Sequence, residues 1–166
     1  MQIELYAGDG AAAFRRVSEK WRAIERSGLL RVELNRILAL DLRARAAIAG
    51  AFAAQGHEGR RLLRLAAADA RALARIGTWG RGLSHLLRGQ IAIATDDPKA
   101  VGFLKSAVAL LDEHEMPLHA AAARATLAAV LGDRKALAVA HAPIIRQVRN
   151  VGSLLAMLAP VLRSFH

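Results

Sequence analysis

The sequence contains no cysteine, only four prolines and only seven aromatic residues among its 166 positions. Without cysteine the chain has no disulfide, no thiolate metal ligand and no cysteine nucleophile. The scarcity of aromatic and β-branched residues disfavours strands, whereas the abundant alanine, leucine and arginine rank high in helix propensity. A chain of this length can also bury a core of its own. The composition therefore predicts one all-α domain over residues 1–166, with a core built from close helix packing.

The sequence also lacks a signal peptide and a long apolar run. Its first residues show no basic region followed by an apolar one. The most apolar long stretch, residues 37–54, is interrupted by Asp41, Arg43 and Arg45, whereas a membrane-spanning helix needs ~20 residues that are nearly free of charge. We expect no membrane partner and a cytoplasmic location. Asp41 and Arg45, four residues apart, are instead expected to form a structural ion pair at a helix interface.

Acidic residues are few: 14 stand against 24 lysines and arginines, which gives a net charge of +10. Such a charge suits nucleic acid or another anionic partner, and the candidate contacts are Arg36, Arg43, Arg81 and Arg88. Nucleic-acid recognition usually combines a basic stripe with stacking aromatic side chains, and only the charge is present here. A GC-rich coding background also produces arginine without selection for binding. A basic nucleic-acid-binding protein is therefore the alternative prediction.

Turn signals divide the chain into about eight helix-length segments, near residues 11–26, 30–54, 59–75, 79–94, 98–113, 117–131, 134–147 and 151–163. Proline suits the first position of a helix, and short polar side chains can cap the helix that follows them. The prolines are Pro98 and Pro117, and the capping candidates are Thr78, Asp97, Asp133 and Asn150. Pro143 lies inside the seventh segment, where we expect a kink or a break.

Two of these segments begin alike, which indicates an internal repeat. Residues 97–101 are matched 36 residues later by residues 133–137. Ala100, Leu104 and Ala107 lie on one helical stripe. This small-large-small pattern resembles the second helix of a tetratricopeptide repeat. We therefore predict antiparallel helix hairpins in a tetratricopeptide-like right-handed solenoid, with an irregular helical bundle as the alternative.

The phase of this repeat predicts that the chain begins in mid-repeat. Residues 6–9 resemble the end of a first helix and the turn into a second. The segment 11–26 is then a second helix without its partner. Its apolar face, formed by Phe14, Val17 and Trp21, would be an exposed interaction edge, to be covered by a protein partner or by another copy of the chain.

No combination of side chains completes a catalytic or metal-binding motif. His114 and His119 are five residues apart with Pro117 between them, whereas a zincin motif needs two histidines four apart on one helix. The glycine-rich residues 77–82 neither follow a strand nor end in lysine and a hydroxyl residue. They predict a loose turn, with Trp79 packed into the core. We expect no enzyme activity, no cofactor and no metal.

Three ordered stretches make the chain similar to a known group of proteins. They are residues 5–14 with Trp21, residues 116–124 with 131–133, and residues 149–150 with 157–160 and Phe165. In this order they resemble the C-terminal tetratricopeptide-like helical region of large bacterial serine/threonine protein kinases of eukaryotic type. Because the kinase motifs themselves are absent from these residues, the resemblance implies a noncatalytic regulatory or scaffold module in signal transduction. Whether the chain is a fragment or free-standing stays open.

Overall fold

The computed structural model describes residues 2–54, 56–145 and 150–165, and within them the chain forms helices and turns without strands. The all-α prediction is confirmed. The α-helices of this part of the chain are α1 (Gln2–Ala7), α2 (Gly10–Arg26), α3 (Glu33–Ala53), α4 (Gly56–Leu73), α5 (Gly77–Ala94), α6 (Ala100–Glu113), α7 (Pro117–Leu131), α8 (Arg134–Ile145) and α9 (Val151–Leu158). Two 3₁₀ segments, Leu29–Arg31 and Pro160–Phe165, complete the described elements.

Three helix starts, at Pro117, Asp133 and Asn150, lie where the sequence predicts them. The predicted start at Pro98 is wrong, because α6 begins at Ala100 and both Asp97 and Pro98 precede it. Pro117 occupies the first turn of α7. The Asp133 carboxylate accepts the Ala136 N–H at 2.9 Å, and the Asn150 side chain accepts the Ser153 N–H at 2.9 Å. These side chains satisfy backbone donors that the first turn of a helix leaves free. The starts of α7, α8 and α9 are therefore set by local chemistry.

Three local predictions are wrong. Residues 77–82 form the first turns of α5 rather than a loose turn, so Thr78 lies inside the helix and does not cap it. Trp79 consequently lies at the surface, 47% exposed, and not in the core. The predicted break at Pro143 is absent, because α8 continues to Ile145, whereas the alternative, a kink, stays a prediction. The last two residues of the predicted segment, 146–147, lie outside the described residues.

Consecutive helices pack against each other from α2 through α8, as expected of antiparallel hairpins joined by short turns. In addition, α3 contacts α5, and α5 contacts α7. These three helices therefore form one layer, here called the inner layer. Each of α2, α4, α6 and α8 packs against its neighbours in that layer. The predicted hairpin arrangement is confirmed. The right-handed solenoid stays a prediction.

The hairpin of α5 and α6 depends on a small residue facing a large one. The predicted stripe of Ala100, Leu104 and Ala107 is buried, and Leu104 is fully enclosed. A Cβ placed on Gly89 would lie 2.7 Å from the Leu104 Cδ2 atom, which is closer than carbon atoms approach without a shift. Glycine at this position thus lets the Leu104 side chain reach the surface of α5.

The C-terminal segment, residues 150–165, runs back across the inner layer. Its 3₁₀ part contacts α3, α5 and α7, and its helix α9 contacts α1, α7 and α8. Leu155 and Val161 are fully buried there. The Arg163 guanidinium donates hydrogen bonds to the carbonyl oxygens of Leu5 and Tyr6, at 3.2 and 2.8 Å. The chain therefore covers its own inner layer, and its two ends are hydrogen-bonded to each other.

Gly10→Ala is expected to lower the free energy of unfolding by about 1–3 kcal/mol. A Cβ at Gly10 would lie 2.4 Å from the Ala49 carbonyl group, so α2 and α3 would have to move apart. Urea denaturation measures the loss. Gly102→Ala is the matched control in α6, because nothing lies within 4 Å of its Cβ position. It should raise stability by about 0.5–1 kcal/mol, and the same gain at Gly10 would contradict the close helix contact.

Candidate interaction surface

The predicted interaction edge on α2 is covered in the structure. Val17 is only 2% exposed and belongs to a small buried cluster with Leu5, Ala13 and Ala46. Phe14 and Trp21 are half-buried and pack against this cluster and the main core. The prediction that this face lacks a neighbour is wrong, because α1 and Met157 of α9 supply the cover. The repeat phase indicated that a first helix ends near residues 6–9, but not that this helix covers α2 together with Met157.

Arg43, a predicted anion contact, is engaged inside the protein. Its Nε and Nη2 atoms donate to the two carboxylate oxygens of Asp69 at 2.8 and 2.5 Å. Its guanidinium carbon lies 3.4 Å from the centroid of the Trp21 ring. The side chain thus joins α2, α3 and α4 through a bidentate ion pair and a cation–π contact. Arg43 therefore makes its polar contacts within the protein, and its contact with an anionic partner stays a prediction.

The other three predicted arginines are exposed. Arg36 lies on α3, and Arg81 and Arg88 lie on α5. The guanidinium of Arg88 stacks over the Phe103 ring at 4.2 Å, whereas Arg43 turns toward Asp69 between the helices. The structure therefore does not bring the four arginines into one basic stripe.

A buried polar network connects the inner layer to the C-terminal segment. The predicted ion pair of Asp41 and Arg45 is confirmed: Arg45 Nη2 lies 2.7 Å from Asp41 Oδ2, and each residue is 4% exposed. Arg45 also donates to the Met157 carbonyl oxygen at 2.9 Å. Burial lowers the pKa of the nearby His119, and the charge of Asp41 opposes this shift. Asp41 and Arg45 are paired with each other and joined to the Met157 carbonyl, so their arrangement fits a structural role.

An open apolar groove lies where the start of α3 meets the first turn of α5. It has a volume of about 470 Å³ and is lined by Glu33, Leu34, Ile37, Gly77, Thr78 and Trp79. Leu34 is 48% exposed, and Leu38, one turn further along α3, is exposed as well. We call this feature the Trp79 groove. Large apolar side chains grouped at a surface mark interaction sites more often than isolated ones do.

The described residues contain neither a cluster of metal ligands nor a membrane-spanning helix. Among the described residues, no group of three or more histidine, aspartate or glutamate side chains is placed to hold a metal ion. No helix in residues 2–54, 56–145 and 150–165 combines the length and the apolar character that crossing a bilayer requires.

Comparison of the chain with protein families, with curated proteins and with solved structures finds no match in any of the three. The resemblance to the helical region of bacterial serine/threonine kinases accordingly stays a prediction from three stretches of sequence. The Trp79 groove is the feature on which a functional proposal can be based.

Proposed function

We propose that the chain is a noncatalytic helical module that binds another protein through the Trp79 groove. The observation that carries the proposal is the exposure of Leu34 and Trp79 on two walls of one groove. Aromatic and large aliphatic side chains in a groove supply the anchoring contacts of protein interfaces. An amphipathic helix is a suitable occupant, because its row of apolar side chains can lie in a groove between helices.

The inner layer, which is the other large apolar surface, is not open to a partner. Its helices α3, α5 and α7 are already contacted by the 3₁₀ segment Pro160–Phe165. Leu155 and Val161 are completely enclosed there. A partner would have to displace this segment, whereas the Trp79 groove needs no displacement. This difference favours the groove as the binding surface.

The negative charge of Glu33 at the groove indicates that the partner segment carries a positive charge. A carboxylate oxygen of Glu33 lies 3.1 Å from the position that a Cβ on Gly77 would occupy, so this carboxylate faces the groove. Glu33 has no ion pair among the described residues, in contrast to Glu4 and Glu58. The proposed partner segment therefore presents apolar anchors together with a lysine or an arginine that can pair with Glu33.

The signalling part of the proposal depends on the resemblance alone. Residues 5–14, 116–124 and 149–160 support a relation to the regulatory region of bacterial serine/threonine kinases. A module of this kind would act as a scaffold that holds a partner segment, without chemistry of its own. Phosphotransfer or ATP hydrolysis by the purified chain would contradict this noncatalytic role.

The groove can be tested with helical peptides selected from a random display library on the wild-type protein. The selected peptides should carry apolar anchors and a basic residue. Leu34→Asp or Trp79→Ala should weaken their binding about tenfold or more, because each removes an anchoring contact. Glu33→Gln should weaken only the peptides that carry the basic residue. Isothermal titration calorimetry measures each affinity.

Leu131→Asp is the matched control, since Leu131 is 58% exposed at the end of α7 and does not line the groove. Circular dichroism establishes that each variant retains its helices. Peptides that bind Leu34→Asp as tightly as the wild type, or that lose affinity equally for Leu131→Asp, would contradict the groove as the binding site.

A further inference from the structure

A second cleft gathers three positively charged side chains from three different elements. Arg71 of α4, Arg88 of α5 and Lys99 from the turn before α6 line the same space of about 270 Å³. Ile91 and Phe103 contribute apolar walls. Trp79 lines the groove and Ile91 lines the cleft, and these two residues lie about 18 Å apart along the axis of α5, at 1.5 Å per residue. The two sites can therefore be altered independently.

None of these three cations is neutralised by the described part of the chain. Five other arginines there, Arg16, Arg43, Arg45, Arg61 and Arg124, form ion pairs with carboxylates. By contrast, Arg71, Arg88 and Lys99 have no such partner. The carboxylate that lines the cleft belongs to Asp97, whose Oδ1 accepts the backbone N–H of Lys99 at 2.9 Å. The cleft therefore carries an excess of positive charge.

The guanidinium of Arg88 is held in place before any ligand arrives. It stacks over the Phe103 ring, with 4.2 Å between its central carbon and the ring centroid. The His85 ring also lies near Phe103, with 6.1 Å between the two ring centroids. Burial and the charge of Arg88 lower the pKa of His85. A positioned guanidinium loses less entropy on binding than a free one.

We propose that this cleft binds a phosphate group. Guanidinium groups donate pairs of parallel hydrogen bonds to phosphate oxygens, and a lysine ammonium adds a point charge. The Thr95 hydroxyl donates to the Ile91 carbonyl at 2.9 Å, so the binding donors are the three cations. The phosphate can belong to a small phosphorylated molecule or to a nucleic-acid backbone. Both sources offer the same chemistry to Arg71, Arg88 and Lys99.

Calorimetric titration tests this site with inorganic phosphate, with ADP and with a short single-stranded RNA as separate probes. Inorganic phosphate should bind saturably to the wild-type chain. Arg71→Ala and Arg88→Ala should each weaken binding about tenfold, the effect of losing charge-assisted hydrogen bonds. Asp97→Asn should tighten binding, because it removes the opposing charge and keeps an oxygen to accept the Lys99 N–H. A role in folding alone would not produce that gain.

Arg81→Ala is the matched control, because Arg81 is an exposed arginine on α5 outside the cleft. ADP that binds more tightly than RNA, with loss in Arg88→Ala, would support a small phosphorylated ligand. RNA that binds more tightly than ADP, with the same loss, would support a nucleic-acid source. Absence of saturable phosphate binding would overturn the site. The site would also be overturned if Arg81→Ala and Arg88→Ala lowered the affinity equally and binding fell steeply with salt. That result would indicate a general basic surface.

Discussion

Replacing Asp41 with alanine is expected to lower the free energy of unfolding by about 3–5 kcal/mol, the usual cost of removing one partner from a buried ion pair. Arg45 would keep its hydrogen bond to the Met157 carbonyl oxygen but would lose the carboxylate that neutralises it. Both residues are almost completely enclosed, so water cannot replace the lost partner. Urea denaturation at neutral pH measures the difference in the free energy of unfolding between the wild type and Asp41→Ala.

Two further variants separate the effect of burial from that of the ion pair itself. The double variant Asp41→Leu with Arg45→Met should be close to neutral, because it leaves no unpaired charge. Glu58→Ala removes the partner of Arg61 in an exposed pair and should lower the free energy of unfolding far less than Asp41→Ala does. Equal losses for Asp41→Ala and Glu58→Ala would mean that the Asp41–Arg45 pair is open to solvent.

Val17→Asp is expected to destabilise the fold by about 3 kcal/mol or more. The new carboxylate would lie in the buried apolar cluster of Leu5, Ala13 and Ala46. The protein should lose helicity at a lower temperature, and circular dichroism follows the transition. Ser18→Asp, at the exposed neighbouring position, is the control and should leave the transition almost unchanged.

The same variant decides between the structure and the predicted interaction edge. If Val17 were exposed at an uncovered edge, Val17→Asp would keep the fold and convert a self-associating chain into a monomer. Analytical ultracentrifugation beside circular dichroism distinguishes the two outcomes. A folded Val17→Asp monomer would contradict the cover that α1 and Met157 provide.

Local chemistry was sufficient to predict most helices. Pro117, Asp133 and Asn150 determine helix starts through groups that are close in sequence, and the structure agrees with them. The stripe of Ala100 and Leu104 likewise showed which face of α6 is buried, because helical periodicity is a local property. In contrast, residues 6–9 indicated the end of a first helix, as the end of α1 at Ala7 bears out, but not that this helix packs against α2 and covers it.

Contacts between distant residues could not be predicted in this way. Arg43 and Asp69 are separated by 26 residues, and nothing near either one in sequence indicates the other. Leu34 is exposed on α3, and helical periodicity does not show which side of a helix has no neighbour. The Trp79 groove and the cleft lined by Arg71, Arg88 and Lys99 both depend on how separate helices are placed. The sequence named Arg88 as a candidate contact but indicated neither site as a whole.

The hydrogen bonds between Arg163 and the carbonyl groups of Leu5 and Tyr6 span 158 and 157 residues, and this distance affects how the protein is made. A ribosome adds ~5–20 residues per second, so Arg163 is synthesised about 8–30 s after the residues of α1 to which it donates. Met157, which covers the cluster around Val17, is also made late. During this interval the apolar side of the nascent N-terminal helices faces solvent, chaperones and neighbouring chains. Synthesis, rather than the finished fold, is the stage at which this chain is exposed to mispairing.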